Sequence, residues 1–151
     1  MASNLARYDG IRYGRTRKHF GAEAKRRIML GTFALSAGYQ DKYYEQAARV
    51  RTLIIQDFDR AFRQVDVILA PVSPTPPFKL VEKIADPLTM YLSDILTVVA
   101  NIGGFPAISI PSGTAKRGES SLPLGIQFMA AHHREDVLFS LGKQFESYMS
   151  V

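Results

Sequence analysis

The sequence predicts an α/β fold, a mixed sheet flanked by helices, and three observations carry that prediction. Short apolar or alternating runs at 65–70, 107–110 and 124–129 are interleaved with longer segments of helical period. The resulting order is helix, helix, strand, helix, strand, strand, helix, which is an α/β pattern. The composition is globular: 46% apolar, 11% aromatic and 22% charged residues, against the low hydrophobicity that disorder requires. With 151 residues the chain has one domain's worth of length and buries roughly 70% of its unfolded surface.

Each element has a local cause. Residues 1–21 are rich in Gly, Arg and Tyr without a clear period, and read as loop or irregular strand. Ala22–Ala37 reads as a helix stopped at Gly38, a residue suited to a left-handed position. Ile28, Met29, Leu30, Phe33, Ala34 and Leu35 make it apolar nearly all round, so a central location is expected. Asp41 is the expected N-cap of a second helix running to about Gln64. Its stripe of Tyr43, Ala47, Val50, Ile54, Phe58, Ala61 and Val65 steps by threes and fours. Val65–Ala70 is a β-branched run that reads as a strand covered on both faces. Pro71, Pro74, Pro76 and Pro77 forbid a helix after it and make a rigid loop. Asp86-Pro87 reads as an N-cap and first helical position, with a helix through Met90, Ser93 and Asp94 toward Val99, broken by Gly103-Gly104. Ala107–Ile110 is a second strand and Lys116–Ser120 an exposed turn. Leu124, Ile126 and Phe128 mark a third strand, and Leu138, Leu141, Phe145 and Tyr148 a closing amphipathic helix.

Several function classes fall away at once. With no cysteine there is no disulfide, iron–sulfur cluster or cysteine-ligated zinc, which fits a cytoplasmic or organelle-matrix protein. No apolar run approaches the ~20 residues of a membrane span, so no membrane contact is expected. Met1–Tyr8 lacks the apolar core of a signal peptide. Nucleophile elbows, P-loops and dinucleotide fingerprints are absent. His132 and His133 are adjacent and cannot share one metal without strain, and with His19 they predict no metal site.

The formal charge is +5 and is unevenly spread. Residues 1–27 hold Arg7, Arg12, Arg15, Arg17, Lys18, Lys25, Arg26 and Arg27 against Asp9 and Glu23. Such a patch is either a solvated face, a contact for an acidic partner, or an RNA-binding surface. Within it, Lys25-Arg26-Arg27 places cations in the first turns of a helix, against its dipole. Either one arginine faces inward, its planar fork matched to a carboxylate, or all three are exposed or paired with Glu23. Asp94 stands between Leu92 and Ile95-Leu96, where a buried carboxylate needs a partner and an exposed one does not. An arginine and an aspartate around one pocket would suit an α-amino acid.

The segments Ser3–Gly14, Lys25–Thr32, Val50–Ile54, Asp86–Tyr91, Gly104–Ser109 and Leu122–Gln127 together resemble the amidase-signature family. Within it they resemble the A subunits of glutamyl-tRNA(Gln)/aspartyl-tRNA(Asn) amidotransferases. The likeness covers the family's C-terminal third, so residues 1–151 are expected to be the C-terminal portion of an amidase-signature domain. The resemblance implies a glutaminase whose ammonia passes to a B subunit, where an ATP- and magnesium-dependent step converts Glu-tRNA(Gln) to Gln-tRNA(Gln). It implies glutamine, the B and C subunits and charged tRNA as partners, and no cofactor in this chain. Family catalysis uses a Ser–cis-Ser–Lys arrangement on a Gly/Ser-rich segment. No such run occurs here, so no catalytic residue is assigned and the chain alone is expected to be inactive. Arg27 matches the family arginine on the substrate α-carboxylate, and Asp94 the aspartate on the α-amino group. Arg15–His19 is shorter than the family's stretch after Gly14. The alternatives are a portion of an amidase for another amide, or a non-catalytic subunit-docking or RNA-binding module.

Three short strands are few for a self-contained α/β sheet, so the isolated chain is expected to leave apolar sheet edges uncovered and to self-associate. Light scattering of the purified chain checks this: multimers are expected, and a monodisperse monomer contradicts it.

Overall fold

The computed structural model describes residues 10, 12–36, 38–80 and 86–149. The chain divides into two compact units, residues 1–50 and 51–151.

In the first unit a 3-10 turn at Arg17–His19 precedes helix α1, Ala22–Ala34. A π-helical turn follows at Gln40–Glu45 and runs on into helix α2, Gln46–Phe62, which continues into the second unit. Three expectations are corrected here. Helix α1 ends at Ala34 rather than Ala37, because the Ser36 hydroxyl and amide both bond the Phe33 carbonyl, at 2.7 and 3.0 Å. A side chain that captures a carbonyl in this way competes with further helix. Gly38 is left-handed as expected, with φ 81°, but four residues beyond the helix. Nor is α1 central: none of its residues is buried, and Met29 is 71% exposed. Its Phe33 ring lies tilted against the Tyr39 and Tyr43 rings at 4.4 and 6.2 Å. The N-cap of the next helical stretch is Tyr39, and Asp41 lies inside the π-helical turn rather than before it.

The second unit is built on a three-stranded antiparallel sheet of order β1-β3-β2: β1 Val67–Pro71, β2 Ala107–Arg117 and β3 Ser120–Ala130. The register pairs Leu69 with Phe128 in one ladder and Ile110 with Ile126 in the other. Strands β2 and β3 are 11 residues each, longer than the apolar runs alone indicate. Their hairpin is closed by Gly118-Glu119, with Gly118 at φ 64°, so pairing extends through polar residues to Arg117 and Ser120.

The period of two on β3 sends alternate side chains to opposite faces. Phe128 and Ala130 join Ile110 and Leu138 under helix α5, Glu135–Met149. Gly142 lets α5 approach, since a Cβ there would stand 3.0 Å from Ile110 Cδ1. Met129, on the other face, packs with Ala100, Phe105, Phe58 and Phe62. Strand β1 splits likewise, Val67 toward the first cluster and Ile68 and Ala70 toward the second, so it is contacted on both faces as expected.

The helix expected over 86–99 is two short ones. Helix α3 is Pro87–Leu92 and helix α4 is Val98–Gly103, with a turn over 93–97 between them. Helix α4 stops at Gly104, whose φ of 81° is the left-handed cap that the Gly103-Gly104 pair foretells.

Gly103 itself is held by contact. A Cβ there would lie 2.0 Å from the Phe105 ring, and Phe58 and Phe62 confine that ring at 4.6 and 5.7 Å. Alanine in a helix is favoured over glycine by up to about 1 kcal/mol. Overpacking costs about 1–3 kcal/mol, so the clash dominates. Gly103→Ala is therefore expected to destabilise the chain by a net of up to about 2 kcal/mol, read as a lower urea midpoint.

Candidate functional site

The start of α3 fixes where the next turn lies. The Asp86 carboxylate accepts the Leu88 amide at 3.0 Å and the Thr89 hydroxyl, and Pro87 occupies the first helical position. This is the N-cap expected from Asp86-Pro87. The Thr89 hydroxyl bond, more than any other contact, holds the Asp86 carboxyl below its ordinary value. Partial loss of solvent opposes that shift, and the Leu88 and Thr89 amides reinforce it.

Six residues on, the chain leaves α3 and turns. The Asp94 carbonyl accepts the Thr97 and Val98 amides at 3.0 and 2.9 Å and the Thr97 hydroxyl at 3.1 Å. The backbone of Asp94 thereby anchors the entry to α4. Its side chain is exposed and lines a cavity of about 930 Å³ in the second unit.

Two walls of that cavity face Asp94. One is the proline-rich loop leaving β1, from Pro71 to Phe78. The other is the sheet surface at Ser112, Ala115 and Leu124–Ile126. Ser73, Thr75, Ser93, Thr97 and Ser112 add hydroxyls, and Asp94 is the one charged residue among the described residues lining it. The proline loop is tied at both ends: the Gln127 side-chain amide donates to the Pro71 carbonyl at 2.8 Å, and Arg117 Nη1 to the Pro77 carbonyl at 3.1 Å. An apolar cavity with one carboxylate and several hydroxyls suits an organic ligand bearing an ammonium group.

Arg27 belongs to the first unit, on α1. Its Nε donates to Glu23 Oε1 at 2.8 Å, and Arg26 engages the other oxygen of the same carboxylate. Both side chains are close to half exposed, the surface-paired arrangement that the sequence left open. Of the basic N-terminal run, Arg7 and Asp9 lie outside the described residues, as does all but Gly10 and Arg12–Gly14 of the Ser3–Gly14 segment. His132 meets Phe105 edge-on at 5.8 Å and His133 sits in a turn at φ 62°. No three His, Asp or Glu side chains among the described residues are grouped to hold a metal. No helix among them is long and apolar enough to cross a membrane.

The sequence reading missed Gln127 and Arg117 as builders of the site. The sequence signal for Gln127 was slight, the one strong hydrogen-bonding side chain in the run Ile126–Ala130; its burial, at 3% exposure, is seen only in the fold.

Residues 2–139 match the sequence model of the family described as Amidase. The chain belongs to the amidase family. Family relatives include the A subunit of the glutamyl-tRNA(Gln) amidotransferase of Microcystis aeruginosa, 52% identical over 96% of this chain and 32% of that protein. The same-named subunits of Nocardia farcinica and Geobacillus thermodenitrificans are each 49% identical, over 97% and 96% of this chain. The chain thus spans about a third of the length of these relatives. The match to the Microcystis protein extends over 159 positions, more than the 151 residues here, so that amidase carries residues this chain lacks. Among solved amidase structures, the S177A Kluyveromyces lactis allophanate hydrolase superposes with a TM-score of 0.63 at 27% identity, covering 83% of this chain and 19% of that one.

The Asp86 cap has a pH signature. Because its folded-state pKa lies below the ordinary 3.8, its contribution to stability is full above that value and fades as pH falls through the folded pKa. Urea unfolding is expected to show Asp86→Ala weaker than the parent chain at neutral pH, with the gap closing below about pH 4. A gap that widened on acidification would contradict the cap.

Proposed function

We propose that the chain is the C-terminal portion of the glutaminase subunit of a tRNA-dependent amidotransferase, and that it supplies the residues that hold the α-amino acid end of glutamine. The observation that carries this reading is the Asp94 carboxylate, the sole charge among the described residues on the wall of a 930 Å³ cavity. In the proposed role Asp94 receives the α-ammonium, and Arg27, which the resemblance matches to the α-carboxylate, is paired with Glu23 here.

The nucleophilic serine and its lysine lie outside this chain in that reading, so the 151 residues alone release no ammonia from glutamine. Ammonia goes to a B subunit, where ATP and magnesium activate the glutamyl-tRNA, and a C subunit completes the complex. The working compartment is the cytoplasm or an organelle matrix. Identity of 49–52% to subunits of this name, against 27% to the allophanate hydrolase, favours glutamine over another amide.

The test is kinetic, in the full-length subunit carrying this sequence, reconstituted with B and C. Arg27→Ala and Asp94→Asn are each expected to raise the Michaelis constant for glutamine about tenfold or more, with a smaller effect on turnover. An unchanged constant in both variants overturns the assignment. Glutaminase activity of the 151-residue chain alone also overturns it.

A further inference from the structure

Gln127 is the only buried polar side chain among the described residues, at 3% exposure, and it lies on neither sheet edge but in the central strand. Its Nε2 donates twice, to the Pro71 carbonyl at 2.8 Å and to the Leu96 carbonyl at 2.9 Å. Of these two acceptors Pro71 lines the cavity, and Leu96 lies among the turn residues Ser93, Asp94 and Thr97 that line it. Pro71 begins the proline-rich loop, and Leu96 sits in the five-residue turn that carries Asp94. A primary amide has two N–H donors on one nitrogen, and both are used here. No shorter or hydroxyl side chain spans the same two carbonyls from one strand position.

We infer that Gln127 is the positioning residue for the Asp94 carboxylate: it fixes the 93–97 turn against the proline loop, and so sets where an ammonium group is received. The turn's other bonds are local, such as the Thr97 and Val98 amides on the Asp94 carbonyl and the Ser93 hydroxyl on the Thr89 carbonyl, whereas the Gln127 amide ties it to the sheet. Ser93 is half-buried and Asp94 and Ile95 are exposed, while helices α3 and α4 on either side are six residues each. Short helices of this length have no stability of their own. Without the amide, two carbonyl oxygens at a part-buried site lose this donor together, and the turn loses its tie to the sheet. The backbone geometry of Gly125 supports the same joint, since the Val72 amide donates to the Gly125 carbonyl at 3.3 Å and a Cβ at Gly125 would meet Val72 Cγ2 at 3.0 Å. The inference rests on the proposed function only for the identity of the ligand.

The experiment uses the isotope-labelled 151-residue chain. Gln127→Met keeps the length and bulk of the side chain and removes both donors. Hydrogen exchange at the Thr97 and Val98 amides is expected to quicken about tenfold or more in Gln127→Met, while hairpin amides between Thr114 and Leu122 hold within about twofold. Equal acceleration in turn and hairpin, or none in either, overturns the inference. The parent chain gives an answer even if the variant does not fold: slow exchange of the Gln127 side-chain protons supports the joint, and exchange at the rate of a free amide overturns it. L-glutamine titration then reads position rather than stability. Gln127→Met is expected to weaken binding about tenfold in the parent background and to add no more than about twofold to Asp94→Asn. A full additive loss in the Asp94→Asn background means that Gln127 does not act through Asp94. If the parent chain shows no glutamine-dependent shifts at all, the amidotransferase reading fails, and the exchange rates still decide the role of Gln127.

Discussion

The second unit depends on one side-chain amide. Gln127 projects from the middle strand and joins the end of β1 to the turn between α3 and α4 through two carbonyl oxygens. Each of these bonds contributes about 0.5–1.5 kcal/mol net, and losing the donor leaves two part-buried acceptors without it. The amide is therefore hard to replace by an apolar side chain, although its strand neighbours are apolar. Around it the sheet is ordinary: β3 directs alternate residues to α5 on one face and to the Phe58, Phe62 and Phe105 rings on the other. That two-sided cover is what makes a polar residue in the central strand buried at all.

The cavity follows from these constraints rather than from any single catalytic motif. Prolines stiffen the loop after β1, Arg117 at the hairpin end holds its far side, and Asp86 sets the start of the helix before Asp94. Asp94 uses its backbone to begin α4, which leaves its carboxylate to the cavity. The division of labour is chemical: carbonyls and amides fix the frame, and Asp94 is the single charge among the described residues on the cavity wall. Arg27 lies in the first unit, in a surface ion pair with Glu23.

Much of this was legible in the residues, and the failures have physical causes. The three strands, the Asp86-Pro87 cap and the glycine stop at Gly104 were readable because each rests on local stereochemistry. The hairpin length was not, since pairing past Pro111 is set by the Gly118 turn and not by hydrophobicity. The first helix misled for a different reason. Its apolar content is real, but content predicts that a face can be covered, not that the cover is in the same chain. The break after Leu92 was hidden because the turn it opens is tied, through the Leu96 carbonyl, to Gln127 on a strand about thirty residues away. Asp94 could be picked out by its surroundings and by family likeness. Gln127 could not be weighed without knowing that both faces of its strand are occupied.

The central claim is that the cavity receives the charged end of an α-amino acid through Asp94. The most direct measurement compares two ligands on one protein: L-glutamine and 4-carbamoylbutanoate, which is glutamine without its α-amino group. Competition in the full-length subunit is expected to show the amino-free analogue binding about tenfold or more weakly, because the charge-assisted bond to the carboxylate is lost. Equal affinity of the two ligands contradicts the account.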